Sequence, residues 1–120
     1  MSEEESTTDV EEQREEVAES AKDFEVVFQR LKKLESEYAR LTYTVAQIED
    51  ATDDEIVLEQ LHGGVLREIT PDRREEVKDR IEQQRFEVEK KYDEVLPVAK
   101  DLAKKFDDGR EQLEELEEDL

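Results

Sequence analysis

The sequence predicts a mainly α-helical chain with one small β element: a long antiparallel two-helix coiled coil joined by a single β-hairpin. Three observations predict this class. Apolar residues recur in alternating steps of three and four along both flanks. No proline or glycine occurs before Gly63. The middle of the chain, DDEIVLEQLHGGVLREITP at residues 53–71, drops that period for short β-forming runs around two glycines. Composition agrees: hydrophobic residues make up 34% of the 120, against about 45–50% in an ordinary soluble domain. Such a chain covers a narrow apolar stripe and does not fill a ball.

The N-terminal residues 1–7 read as a disordered acidic tail, and residues 8–120 as one domain. Thr8 and Glu11 form a T-x-x-E capping box, which opens a first helix over 8–50. Its seam runs Val17, Ala21, Phe24, Phe28 and Leu31, then Leu34, Tyr38, Leu41, Val45 and Ile48. The extra step of three at Leu31–Leu34 is a stammer-like overwinding of a heptad seam. A helix of about 42 residues is about 63 Å long, and its stripe needs a partner throughout.

The hairpin is expected over 55–69. Ile56-Val57-Leu58 and Val65-Leu66 are β-formers, and Gly63-Gly64 supplies positive φ at the turn. A two-residue turn would set Glu59 against Glu68. A three-residue loop, His62-Gly63-Gly64, instead pairs Leu61 with Val65, Glu59 with Arg67 and Val57 with Ile69, and opposite charges favour it. Val57, Leu61, Val65 and Ile69 then share one face, and Ile56, Leu58 and Leu66 the other. An isolated hairpin is marginal in water, and one helix pair does not cover both faces. Edge-to-edge joining of hairpins from several chains into a shared sheet is the expected solution; docking of the hairpin on its own coiled coil is the alternative.

Thr70-Pro71-Asp72 carries N-cap, first-turn and helix-dipole signals for a second helix over 71–120. Its seam follows Val77, Ile81, Val88, Tyr92, Val95, Ala99, Leu102, Phe106, Gly109, Leu113, Leu116 and Leu120. Pro97 predicts a bend near residues 93–97, with a helix that ends there and restarts as the alternative. With facing residues taken as equidistant from the two chain ends, Phe24 and Phe28 meet Tyr92, Val95 and Val98, while Val17 meets Leu102 and Phe106. Val10, Leu113, Leu116 and Leu120 then form a partly covered apolar tip among acidic side chains; closure of the coiled coil by these leucines, with Met1 or Val10 packed on them, is the alternative.

Lys and Arg total 18 against 38 Asp and Glu, a net charge of −20. That surface repels phosphate backbones and anionic lipid, so neither nucleic acid nor membrane is an expected partner. Acid is spread along the whole chain, as in a halophilic protein kept hydrated in a salt-rich cytosol. The acidic N-terminus has no apolar signal region and no run approaches a membrane span, so a cytoplasmic protein is expected. There is no cysteine. The lone His62 sits in the turn without convergent partners, and Asp107-Asp108-Gly109 lacks the spacing of a calcium loop. No catalytic residue, cofactor or metal site is expected, and no enzyme.

Helix, one short hairpin and helix in this length resemble a β-class prefoldin subunit of the archaeal, acidic type. The resemblance is strongest over Gln47–Ile81, QIEDATDDEIVLEQLHGGVLREITPDRREEVKDRI, in the order helix end, Asp-Asp step, hairpin with central glycine, and charged helix start. The α class carries two hairpins, and the intervening segment has room for one. The resemblance implies a hetero-hexamer of two α-type and four β-type subunits around a central β-barrel. It further implies an ATP-independent chaperone whose coiled-coil tips hold unfolded polypeptides and pass them to a group II chaperonin. It makes Ile56, Val57, Leu58, Leu61, Gly63, Gly64, Val65, Leu66 and Ile69 the assembly hairpin, and Val10, Leu113, Leu116 and Leu120 the client-binding tip. A non-chaperone coiled-coil adaptor or scaffold is the alternative that the residues leave open.

Overall fold

The computed structural model describes the chain from Glu3 to Leu120, with side chains from Thr7 onward except that of His62. Its elements are α1 (Glu3–Asp50), β1 (Val57–Gln60), a 3-10 turn (His62–Gly64), β2 (Leu66–Ile69), a second 3-10 turn (Pro71–Arg73) and α2 (Arg74–Glu118). The chain divides into two compact units. Lys32–Asp93 form the hairpin unit; the N-terminal stretch through Leu31 and Glu94–Leu120 form the arm unit. One border coincides with the stammer at Leu31–Leu34, and the other lies just before Pro97.

Three helix boundaries differ from the sequence expectation. α1 begins at Glu3, so Thr8 and Glu11 lie within the helix and do not start it. Nothing between Glu3 and Thr7 breaks a helix, acidic residues suit its positive end, and Val10, 3% exposed, anchors the turn that follows. At α2, Thr70 occupies the flanking position with extended backbone but makes no side-chain cap. The Arg73 N–H, which its hydroxyl would cap, donates instead to Thr70's own carbonyl at 2.9 Å. α2 then runs as α-helix through Pro97 to Glu118. Proline removes one backbone donor there, and helical geometry is kept on either side.

In the hairpin unit the helices run antiparallel, with Lys78 pairing with Glu49 at 3.4 Å and the Tyr92 hydroxyl donating to Glu35 at 3.2 Å. The core combines Leu34, Leu41, Val45 and Ile48 of α1 with Val57 and Ile69 of the hairpin and Val77, Ile81 and Val88 of α2, all buried. Ile81 is wholly inaccessible. The strands pair antiparallel as Val57↔Ile69, Leu58↔Glu68, Glu59↔Arg67 and Gln60↔Leu66, the register of the three-residue loop. The Leu61 N–H closes the ladder on the Val65 carbonyl at 2.7 Å.

The arm unit is less buried. Val10, Leu31 and Ala99 are covered, but Val17, Ala21, Phe24, Phe28, Val95, Leu102, Phe106, Leu113 and Leu116 are only half-buried. Phe24 and Phe28 stack on each other with centroids 5.7 Å apart, whereas Tyr92 belongs to the hairpin unit. Val17 faces Gly109: a Cβ there would meet the Val17 methyl at 3.4 Å. The expectation fixed the register from the chain ends, but the fold-back is centred on Gly63. The hairpin pairs are equidistant from that residue, and so are Val17 and Gly109.

Candidate functional site

The hairpin has two unlike faces because strand side chains alternate. Val57 and Ile69, 2% and 3% exposed, turn into the core of the hairpin unit. Between them on the same face lies the Glu59 carboxylate, 5% exposed. Burial alone would push its pKa up, but the hydrogen bonds and charges of Arg67 and Arg80 outweigh that and hold it below the usual range. Arg67 Nη2 donates to Oε2 at 2.7 Å, and Arg80 Nη2 pairs with Oε1. Both oxygens are occupied, so the carboxylate joins β1, β2 and α2.

Two further guanidiniums tie the same region. Arg40 Nη1 donates to the Gln60 carbonyl at 2.5 Å, holding β1 to α1. The buried Arg74 donates from Nη1 to the Thr52 carbonyl at 2.8 Å and from Nη2 to the Glu55 carbonyl at 2.6 Å. Those carbonyls belong to the link between α1 and β1, where the Glu55 N–H donates to the Thr52 carbonyl at 3.1 Å and the Thr52 hydroxyl to Glu55 Oε1 at 2.9 Å. Strand register pointed to the Glu59–Arg67 pair. It gave no signal for Arg80, Arg40 or Arg74, whose partners are set by how the helices lie against the hairpin.

The outer face is apolar and open. Ile56, Leu58 and Leu66 are 74%, 44% and 58% exposed, and Val65 near the turn is also exposed. Leu61 is half-buried. Gly63 and Gly64 adopt φ of 76° and 77°, which only glycine takes without strain; no atom lies within 4 Å of a Cβ built on either. The nine assembly residues therefore separate into two inward anchors, Val57 and Ile69, a less covered pair on that face beside the turn, Leu61 and Val65, the two turn glycines, and an outward patch of Ile56, Leu58 and Leu66. The hairpin does lie on its own helices, as the alternative had it, but through one face only. Among the described residues no further strand pairs with either outer edge, since the sheet has two strands, although Arg40 occupies the Gln60 carbonyl on the β1 edge.

The four tip residues are placed unequally. Val10 is buried, Leu113 and Leu116 are half-buried, and Leu120 is exposed. Arg14 Nη2 pairs with Glu117 at 3.0 Å, and Gln13 Nε2 donates to the Gly109 carbonyl at 2.9 Å, so polar contacts close part of this end. No helix among the described residues is long and apolar enough to cross a membrane. Searches against protein-family models, curated proteins and solved structures found no match to this chain.

Proposed function

We propose that this chain is a β-type prefoldin subunit: an ATP-independent holdase that assembles through its hairpin and captures unfolded polypeptides at its helix ends. The observation that carries the reading is the anchored hairpin, whose inner face is pinned by Glu59 and whose link to α1 is held by Arg74, while Leu58, Leu66 and Ile56 stay open beside edges that no further strand covers among the described residues. Edge pairing with hairpins of neighbouring subunits covers the edges, and closure of the joined sheet into a barrel covers the patch. On this reading the assembly is a cytoplasmic hetero-hexamer of two α-type and four β-type subunits, serving a group II chaperonin.

The test is to mix the chain with a prefoldin α-type subunit in high salt and measure mass by light scattering and client aggregation without ATP. A hexamer that suppresses aggregation is expected. A monomer that leaves the aggregation curve unchanged overturns the proposal. Leu66→Asp should abolish assembly with helicity retained, since a charge in a shared apolar seam costs several kcal/mol. Removing residues 113–120 should spare assembly and weaken capture. The burial of Val10 favours one second reading, an adaptor that assembles in the same way and holds no client; assembly without aggregation suppression identifies it.

A further inference from the structure

On the helix pair of the hairpin unit lies an open groove of about 390 Å³, lined by both helices. Leu34 and Val88, 8% and 5% exposed, give it an apolar base, and Tyr38 and Tyr92 contribute two phenol rings. Three carboxylates, Glu35, Glu89 and Asp93, complete the lining. Glu35 is engaged, accepting from the Tyr92 hydroxyl at 3.2 Å and pairing with Lys32 at 3.7 Å. Glu89 and Asp93 have no hydrogen bond or ion pair among the described residues. They stand one helical turn apart on α2, where like charges repel.

An occupant must satisfy three demands together. Leu34 and Val88 favour methylene groups, the rings favour a planar or cationic face, and the exposed carboxylates of Glu89 and Asp93 favour positive charge. Arginine supplies all three: an apolar stem, a guanidinium that stacks on aromatic rings, and weak hydration. Lysine brings the charge and stem, but its ammonium is compact and strongly hydrated. The chain already shows the pairing in cis, with the Arg85 guanidinium 6.0 Å from the Tyr38 ring centre; Arg85 does not line the groove. The Tyr92 hydroxyl supports a negative local potential. Its hydrogen bond to Glu35, then burial, then the charges of Glu35 and Asp93 all raise its pKa.

We propose that this groove binds an arginine side chain of a partner polypeptide, with Tyr38 and Tyr92 against the guanidinium and Glu89 and Asp93 neutralising it. The site does not depend on the assembly reading, because every residue of it lies in one chain. The chain contains no tryptophan, so binding of a short peptide bearing one tryptophan and two arginines reads directly by fluorescence on the full chain. Saturable binding is expected at about 150 mM salt, where distant surface charges are screened beyond about 8 Å. Glu89→Lys with Asp93→Lys should weaken binding about tenfold or more, and Tyr38→Leu, which keeps apolar bulk, a few-fold. Glu15→Lys with Glu19→Lys, an equal change of net charge in the arm unit and away from the helix ends, should change it less than about twofold. Equal losses from the two charge reversals, or equal affinity for the same peptide with citrulline in place of arginine, would overturn the site in favour of bulk attraction to an acidic protein.

Discussion

The two units obey the same heptad rule and differ in how far it buries the chain. In the hairpin unit nine apolar side chains from four elements close over one another, and Ile81 is wholly inaccessible. In the arm unit two helices share a seam that leaves most of its residues half-buried, with Gln13 and Arg14 making polar bonds across it. The difference lies in the third layer. Two helices alone cover a stripe from one side, whereas the β-hairpin lays a lid of Val57 and Ile69 on theirs. Coiled-coil periodicity therefore specifies pairing, and an added element of another kind specifies a core.

That contrast makes its largest prediction for truncation. Ile81→Ala should cost about 2–5 kcal/mol in urea unfolding, and Leu102→Ala in the arm about half as much, since its side chain stays partly in water. Amide exchange should follow the same order, slowest around Val45 and Ile81 and faster around Phe106. Equal losses and uniform protection would show that the two units unfold as one.

Next in size are the polar anchors of the hairpin. Glu59→Ala leaves Arg67 and Arg80 without their shared carboxylate; because both guanidiniums are partly exposed, a cost of about 1–3 kcal/mol is expected. Acid should reveal the same anchor. The folded pKa of Glu59 lies below its unfolded value, so its stabilisation is complete above the ordinary glutamate value of about 4.3. It is lost as pH falls through the folded value. Glu59→Gln should therefore be weaker than the parent at pH 7 and converge on it at low pH; a constant gap would mean that the carboxylate's charge has no part in the anchor. Arg74→Met is expected to cost about 1–3 kcal/mol by orphaning the Thr52 and Glu55 carbonyls, read as a lower urea midpoint.

The smallest prediction has the opposite sign and belongs to the arm. A methyl on Gly109 meets Val17 and Gln13 at 3.4 and 3.5 Å, ordinary contact, and mid-helix glycine is worth about 0.5–1 kcal/mol less than alanine. Gly109→Ala should stabilise by about that much. A loss in thermal melting would show that the arm helices approach at Gly109 too closely for a side chain.

Much of the fold is legible in the residues because it rests on local rules. The alternating seam gives both helices, Gly63-Gly64 gives the turn, and repulsion between Glu59 and Glu68 rejects the shorter loop. The helix start at Thr8 was misplaced because a capping box marks a possible boundary, and an uninterrupted helix-forming run upstream overrides it. The facing of the arms was misplaced because seam periodicity says which side is apolar and nothing about sliding. Contacts across the arm, such as Val17 against Gly109, fix that.

The candidate surface divides along the same line. The sequence by itself determined the helical flanks, the single hairpin, its register and the alternation of its faces, since period, turn chemistry and cross-strand charge act between near neighbours. Only the tertiary structure decided which hairpin face lies down on the helices. It alone placed Arg80, Arg40 and Arg74 against the hairpin and its link, covered Val10 and left Leu66 open. Those outcomes depend on distances between residues far apart in the chain, and such distances are set by packing.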